Sequence, residues 1–89
     1  MTARIEKMRQ RLTEALTPAS LEIADDSAQH QGHGGYDAEG SHFSIAIVSP
    51  LFQGKNTVER HRLVYAALGD MMQREIHALR ISARSTDEL

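Results

Sequence analysis

The apolar and polar positions of the chain alternate in two rhythms, and each rhythm marks out elements. Ile5, Met8, Leu12, Ala15 and Leu16 recur at three- and four-residue steps, which places them on one face of a helix. Arg4, Glu6, Lys7, Arg9, Gln10 and Arg11 cover the rest of that helix. Thr17-Pro18 ends it, because proline disfavours helical backbone in the residue before it. Leu21 and Ile23 then alternate with Ser20, Glu22 and Ala24, the period of a short half-buried strand, and Asp25 and Asp26 open a long loop. "HFSIAIVS" is a second strand, with Phe43, Ile45 and Ile47 on one side and Ser44, Ala46 and Val48 on the other. Pro50 stops it, having no N–H to give a ladder, and a turn around Gly54 follows.

The helical rhythm returns over residues 57–74, with Asn56 or Thr57 as the cap. Val58, His61, Tyr65, Leu68 and Met72 make one stripe, and Leu63, Val64, Ala67 and Met71 broaden it. That breadth predicts the most buried element of the fold. "IHALRISAR" is a third strand, with His77, Leu79, Ile81 and Ala83 in one phase. Residues 85–89, "STDEL", read as a loosely held tail.

The order is helix, strand, strand, helix, strand. Strands two and three, joined through a helix, predict a parallel pair with a right-handed crossover. Strands one and two predict an antiparallel pair. The sum is a two-layer α/β (α+β) domain, a three-stranded mixed sheet with its helices on one face. A chain of 89 residues holds one modest core, so residues 1–89 are read as a single domain.

Composition narrows the function. Net charge is −2, so nucleic-acid binding would rest on a local patch. No apolar run is long enough to span a membrane, the N-terminus lacks the apolar core of a signal peptide, and there is no cysteine. The expectation is a cytoplasmic protein with no membrane partner. Without cysteine there is no thiolate nucleophile or thiolate ligand. No serine stands on a glycine-flanked elbow, and no phosphate- or dinucleotide-binding glycine motif occurs. Asp25 and Asp26, adjacent at a strand end, point to opposite faces and do not form an acid–base dyad. The chain does not read as an enzyme.

The histidines are the remaining chemistry. "AQHQGHGGYDAEGSHF", residues 28–43, holds three of the five histidines and four of the six glycines. The loop over residues 27–41 is longer than most connections, and its glycines make it flexible. On spacing alone it reads as a solvated polar loop, with His30 and His33 as an incomplete metal-binding arm in the other reading. His77 reads as a histidine satisfied at the edge of the core, or as a rigid ligand at the sheet rim. His61 reads as a packed helix residue, and His42 lies near the loop hinge. Lys55, Arg60 and Arg62 flank a helix start, either as a phosphate-contacting patch or as a solvated face partly neutralised by Glu59.

Several of these features together resemble the BolA family. They are His42-Phe43 opening a strand, Ser49 three residues before Phe52, Gly54 after it, the triplet Arg60-His61-Arg62, and His77-Ala78-Leu79 opening the last strand. The resemblance runs from Leu21 to about Arg84. It implies a KH-like fold without the Gly-x-x-Gly loop, and a non-enzymatic protein that binds a monothiol glutaredoxin. It implies a 2Fe-2S cluster shared by the pair, the glutaredoxin side supplying its cysteine and the thiol of glutathione. No cofactor is then expected in the isolated chain. On this side the resemblance implies His77 and a second ligand from the loop. His33, nine residues before the His-Phe pair, has the family's spacing, and His30 is the reserve. The resemblance also implies a second reading, a DNA-binding regulator contacting DNA through Lys55, Arg60 and Arg62.

Overall fold

The structure, a computed structural model, describes residues 3–26 and 42–88. The His/Gly stretch 27–41, with His30 and His33, lies outside the described residues. Helix α1 (Ala3–Leu16) buries Met8, Leu12 and Leu16, spaced four apart on one stripe. Full burial of side chains of this size contributes roughly 1.5–3 kcal/mol each. The helix ends where Thr17-Pro18 predicts: Thr17 adopts φ 41° and its N–H donates to the Thr13 carbonyl at 3.0 Å. Left-handed backbone in a β-branched residue costs roughly 1–2 kcal/mol, so the surrounding packing holds this turn.

Strand β1 (Ser20–Asp25) pairs antiparallel with β2 (His42–Val48), in register Ser20↔Val48 to Asp25↔Phe43. Strand β3 (Ala78–Arg84) pairs parallel with β2, in register His42↔Ala78 to Val48↔Arg84. The sheet order is β1-β2-β3, with β2 central. Phe43, Ile45 and Ile47 of β2 enter the core, while Ser44, Ala46 and Val48, of opposite phase, are exposed or half-buried. The alternation along β2 of large apolar side chains with the smaller Ser44, Ala46 and Val48 therefore accords with the face the core covers.

The helix expected over residues 57–74 is two helices. Helix α2 spans Thr57–Leu68 and a single turn, α3, spans Met71–Arg74. Gly69, at φ 57° and ψ −130°, breaks the run in a conformation open to glycine. The exposed carbonyl end of α2 is then taken up by another helix: Arg11 Nη1 of α1 donates to the Leu68 carbonyl at 2.6 Å and to Asp70 Oδ1 at 3.0 Å. The break turns Met71 into the core.

The apolar stripe expected on this segment is also corrected. Val64 and Leu68 are buried, with Leu63 and Ala67 half-covered, whereas Val58 and Tyr65 are 59% and 42% exposed. Helix α2 is therefore not the most buried element. Helix α1 and strand β2 each bury three large side chains, against two for α2, and residues 57–74 taken whole bury three with Met71, no more than α1 or β2.

Two junctions close the far end of the sheet. Ser49 is fully buried; its hydroxyl donates to the Leu16 carbonyl at 2.6 Å and accepts from Leu51 N–H at 3.1 Å. Its backbone N–H donates to the Arg84 carbonyl at 2.9 Å, so one serine joins the ends of α1, β2 and β3. The tail expected to be loose is held through residue 88. Arg60 makes a two-pronged contact with the Glu88 carboxylate, at 2.7 and 3.2 Å, and donates to the Ala83 carbonyl at 3.1 Å. Ser85 is buried, and its N–H donates to Glu88 Oε1 at 2.8 Å. A carboxylate satisfied by a guanidinium fork explains why this end is ordered, which composition alone does not reveal.

Candidate metal centre at the start of strands β2 and β3

The parallel register of β2 and β3 sets His42 opposite Ala78. The residue before Ala78 is His77, so the pairing brings both histidines to one end of the sheet. Their ring centroids lie 5.1 Å apart with the planes tilted by 46°. His42 is half-buried and His77 exposed. His77 occupies a bend just before β3 rather than its first position. It is thus released from the strand's alternation and does not join the core side chains with which its phase matches it.

The strand end beneath His42 is fixed. Asp26 N–H donates to the His42 carbonyl at 2.7 Å, and the Ser44 hydroxyl donates to the Asp26 carboxylate. The end of β1 is thereby tied to the start of β2, and the His42 backbone is held from the β1 side.

Two neutral imidazoles are good donors for iron, zinc or copper. Among the described residues no group of three His, Cys, Asp or Glu side chains can hold a metal ion. The pair offers two nitrogen donors at one end of the sheet. His33 and His30 fall outside the described residues. The nearness of His42 to His77 was missed from sequence; the signal that finds it is the parallel pairing, which aligns the starts of both strands.

The basic positions are distributed differently from their sequence grouping. Lys55 and Arg62 are exposed. The Arg60 side chain is only 12% exposed, and its two Nη groups donate to Glu88 and the Ala83 carbonyl. The start of α2 is closed by a capping box: Asn56 Oδ1 accepts from Glu59 N–H at 2.8 Å, and Glu59 Oε1 accepts from Asn56 N–H at 2.9 Å. Those contacts satisfy N–H groups that an anion would otherwise use. His61 is half-buried on α2.

Comparison with known proteins adds an independent line. The family model described as "BolA-like protein" matches residues 12–88. SufE-like protein 1, chloroplastic/mitochondrial, of Arabidopsis thaliana is 43% identical over 89 residues, covering 93% of this chain and 24% of that protein. The chain spans about half the length of two other curated relatives, Protein BOLA1, chloroplastic, of Arabidopsis thaliana and BolA-like protein 1 of Homo sapiens. The solved BolA domain of SufE1 from Arabidopsis thaliana superposes with a TM-score of 0.87 at 43% identity, covering 100% of this chain and 99% of that one. A relative from Escherichia coli, named DNA-binding transcriptional regulator BolA, is 31% identical over 83 residues, covering 93% of this chain and 76% of that protein.

Proposed function

Because the chain belongs to the BolA family, we propose that it is a non-enzymatic adaptor that docks with a monothiol glutaredoxin and shares a labile 2Fe-2S cluster with it. The role is iron sensing or cluster delivery in the cytoplasm. The observation that carries this reading is the His42–His77 pair, a half-set of nitrogen donors in a chain without cysteine. When bound, the cluster supplies a redox- and proton-sensitive centre whose loss or transfer is the signal. This chain's part is to present imidazole nitrogens from a fixed strand end. His77 is the ligand from the sheet rim. His33 is the second ligand in this reading, with His30 in reserve, and His42 holds or replaces that partner beside His77.

The test is co-expression with a monothiol glutaredoxin, followed by visible absorption and circular dichroism of the purified complex. His77→Ala removes the cluster spectrum, and His33→Ala weakens it. A spectrum and lifetime unchanged in both variants would sink the ligand assignment. His30→Ala, run in parallel, shows which loop histidine serves.

A second reading is favoured by the name of the Escherichia coli relative, a DNA-binding regulator. Here Lys55 and Arg62 contact phosphates, while Arg60 is committed to the fold. Retention on duplex DNA at about 0.15 M salt, lost on Lys55→Ala or Arg62→Ala with the cluster unaffected, is its expected result.

A further inference from the structure

The side chains of Val58, Arg62 and Tyr65 leave α2 within about 60° of one another, given 3.6 residues per turn. Their mean direction lies about 100° round the helix from that of the buried Val64 and Leu68, so they flank the core-facing side. Val58 and Tyr65 are 59% and 42% exposed, and with Leu51 at 46% they are the exposed large hydrophobics among the described residues. Val58 and Tyr65, two turns apart on one line of α2 with Arg62 between them, make an exposed apolar strip beside the buried side of the helix.

Charge says what covers it. Arg62 and Lys55 are exposed and form no ion pair among the described residues. The nearby acid, Glu59, has its carboxylate bent back onto the Asn56 N–H of the helix cap. The strip is thus two apolar side chains, one of them a tyrosine, with the uncommitted Arg62 between them and the exposed Lys55 three residues before Val58. Tyrosine and arginine are the side chains most enriched where proteins bind one another.

We propose that Val58, Arg62 and Tyr65 form a docking strip for a protein segment that presents an apolar face edged with Asp or Glu. Nucleic acid fits it less well. Arg60 is turned inward to Glu88, so two cations remain, and the apolar centre gains nothing from a phosphate backbone. A second copy of this chain also fits poorly, because a twofold pairing of two strips brings Arg62 close to Arg62.

The experiment uses the full 89-residue chain, isotope-labelled, with amide shifts followed by NMR at about 0.15 M salt. Three probes are titrated: a helical peptide with a Leu/Phe face and glutamate elsewhere, the same peptide with lysine for glutamate, and a random-sequence DNA duplex. The glutamate peptide is expected to shift the amides of Val58, Arg62 and Tyr65. Tyr65→Ser should weaken it at least tenfold, about 1.4 kcal/mol. Arg62→Glu should weaken it likewise and admit the lysine peptide. Both positions are exposed, so the remaining amide spectrum reports that the fold is kept. No shift on the strip up to about 1 mM glutamate peptide overturns the proposal, as does equal binding of the lysine peptide or stronger shifts of the same amides by DNA.

Discussion

His42 and His77, distant in the chain, hold their imidazole rings 5.1 Å apart at the start of two parallel strands. Neither ring is placed there by its own neighbours in sequence. The ladder between β2 and β3 does it, and the bend at residue 77 frees the second ring to meet the first.

That relationship makes His42 testable independently of the loop. A neighbour that orients or supplements a ligating imidazole is worth about 10–100-fold in metal affinity. His42→Ala is therefore expected to shorten the lifetime of the proposed glutaredoxin-shared cluster by about tenfold or more. The decay of the visible dichroism after mixing with a chelator measures it. Wild-type decay in this variant would leave His42 a purely structural residue.

Ser49 takes part in four hydrogen bonds at a fully buried junction, two of them through its hydroxyl. Ser49→Ala leaves the Leu16 carbonyl and the Leu51 N–H without their partner. A cost of about 1–3 kcal/mol is expected, the usual penalty for a buried polar group so stranded. Urea unfolding should show a lower midpoint with an unchanged slope.

Gly69 lies at φ 57°, and a methyl group there would come within 3.5 Å of Arg11 Nη1. The contact itself is tolerable, but the backbone is not one that alanine accepts. Gly69→Ala should lower stability by more than about 1 kcal/mol, against the gain that the same change gives in an ordinary helix. Thermal unfolding decides the sign.

The Arg60 fork, with help from the Ser85 N–H, lowers the Glu88 carboxyl from an ordinary glutamate's 4.5 to about 2. The folded value is below the unfolded one. The clasp therefore contributes stability that is complete above about pH 5 and is lost as pH falls toward 2. Glu88→Gln should be less stable than the wild type at pH 7 and lose the difference in that acid window. Denaturant midpoints of the two proteins across pH 2–7 give the comparison; a constant gap would show that the charge does not matter. Asp70, lowered by its hydrogen bond to Arg11, adds a loss of the same sign.

Much of the fold was readable before any coordinates. The spacing of Met8, Leu12 and Leu16 and the alternation of Phe43, Ile45 and Ile47 are local signals, and local geometry obeys them. The stripe Val58–His61–Tyr65–Leu68 was equally regular and misled, because periodicity reports that a face is apolar and not what covers it. Gly69 was visible, yet the break it makes depends on Arg11 arriving from α1 to satisfy Leu68. Arg60 shared a triplet with Arg62, but only Glu88, near the other end of the chain, separates the two in role.

The order of the elements, the face of the sheet that is buried and the lack of sulfur ligands were determined by the sequence itself. Each follows from residue type and short-range spacing. The placing of His42 beside His77, which of Arg60 and Arg62 remains exposed and whether the last turn is held were decided by the tertiary structure. Each of those depends on strand register or on a contact between residues far apart in the chain, and such pairings leave no period in the sequence.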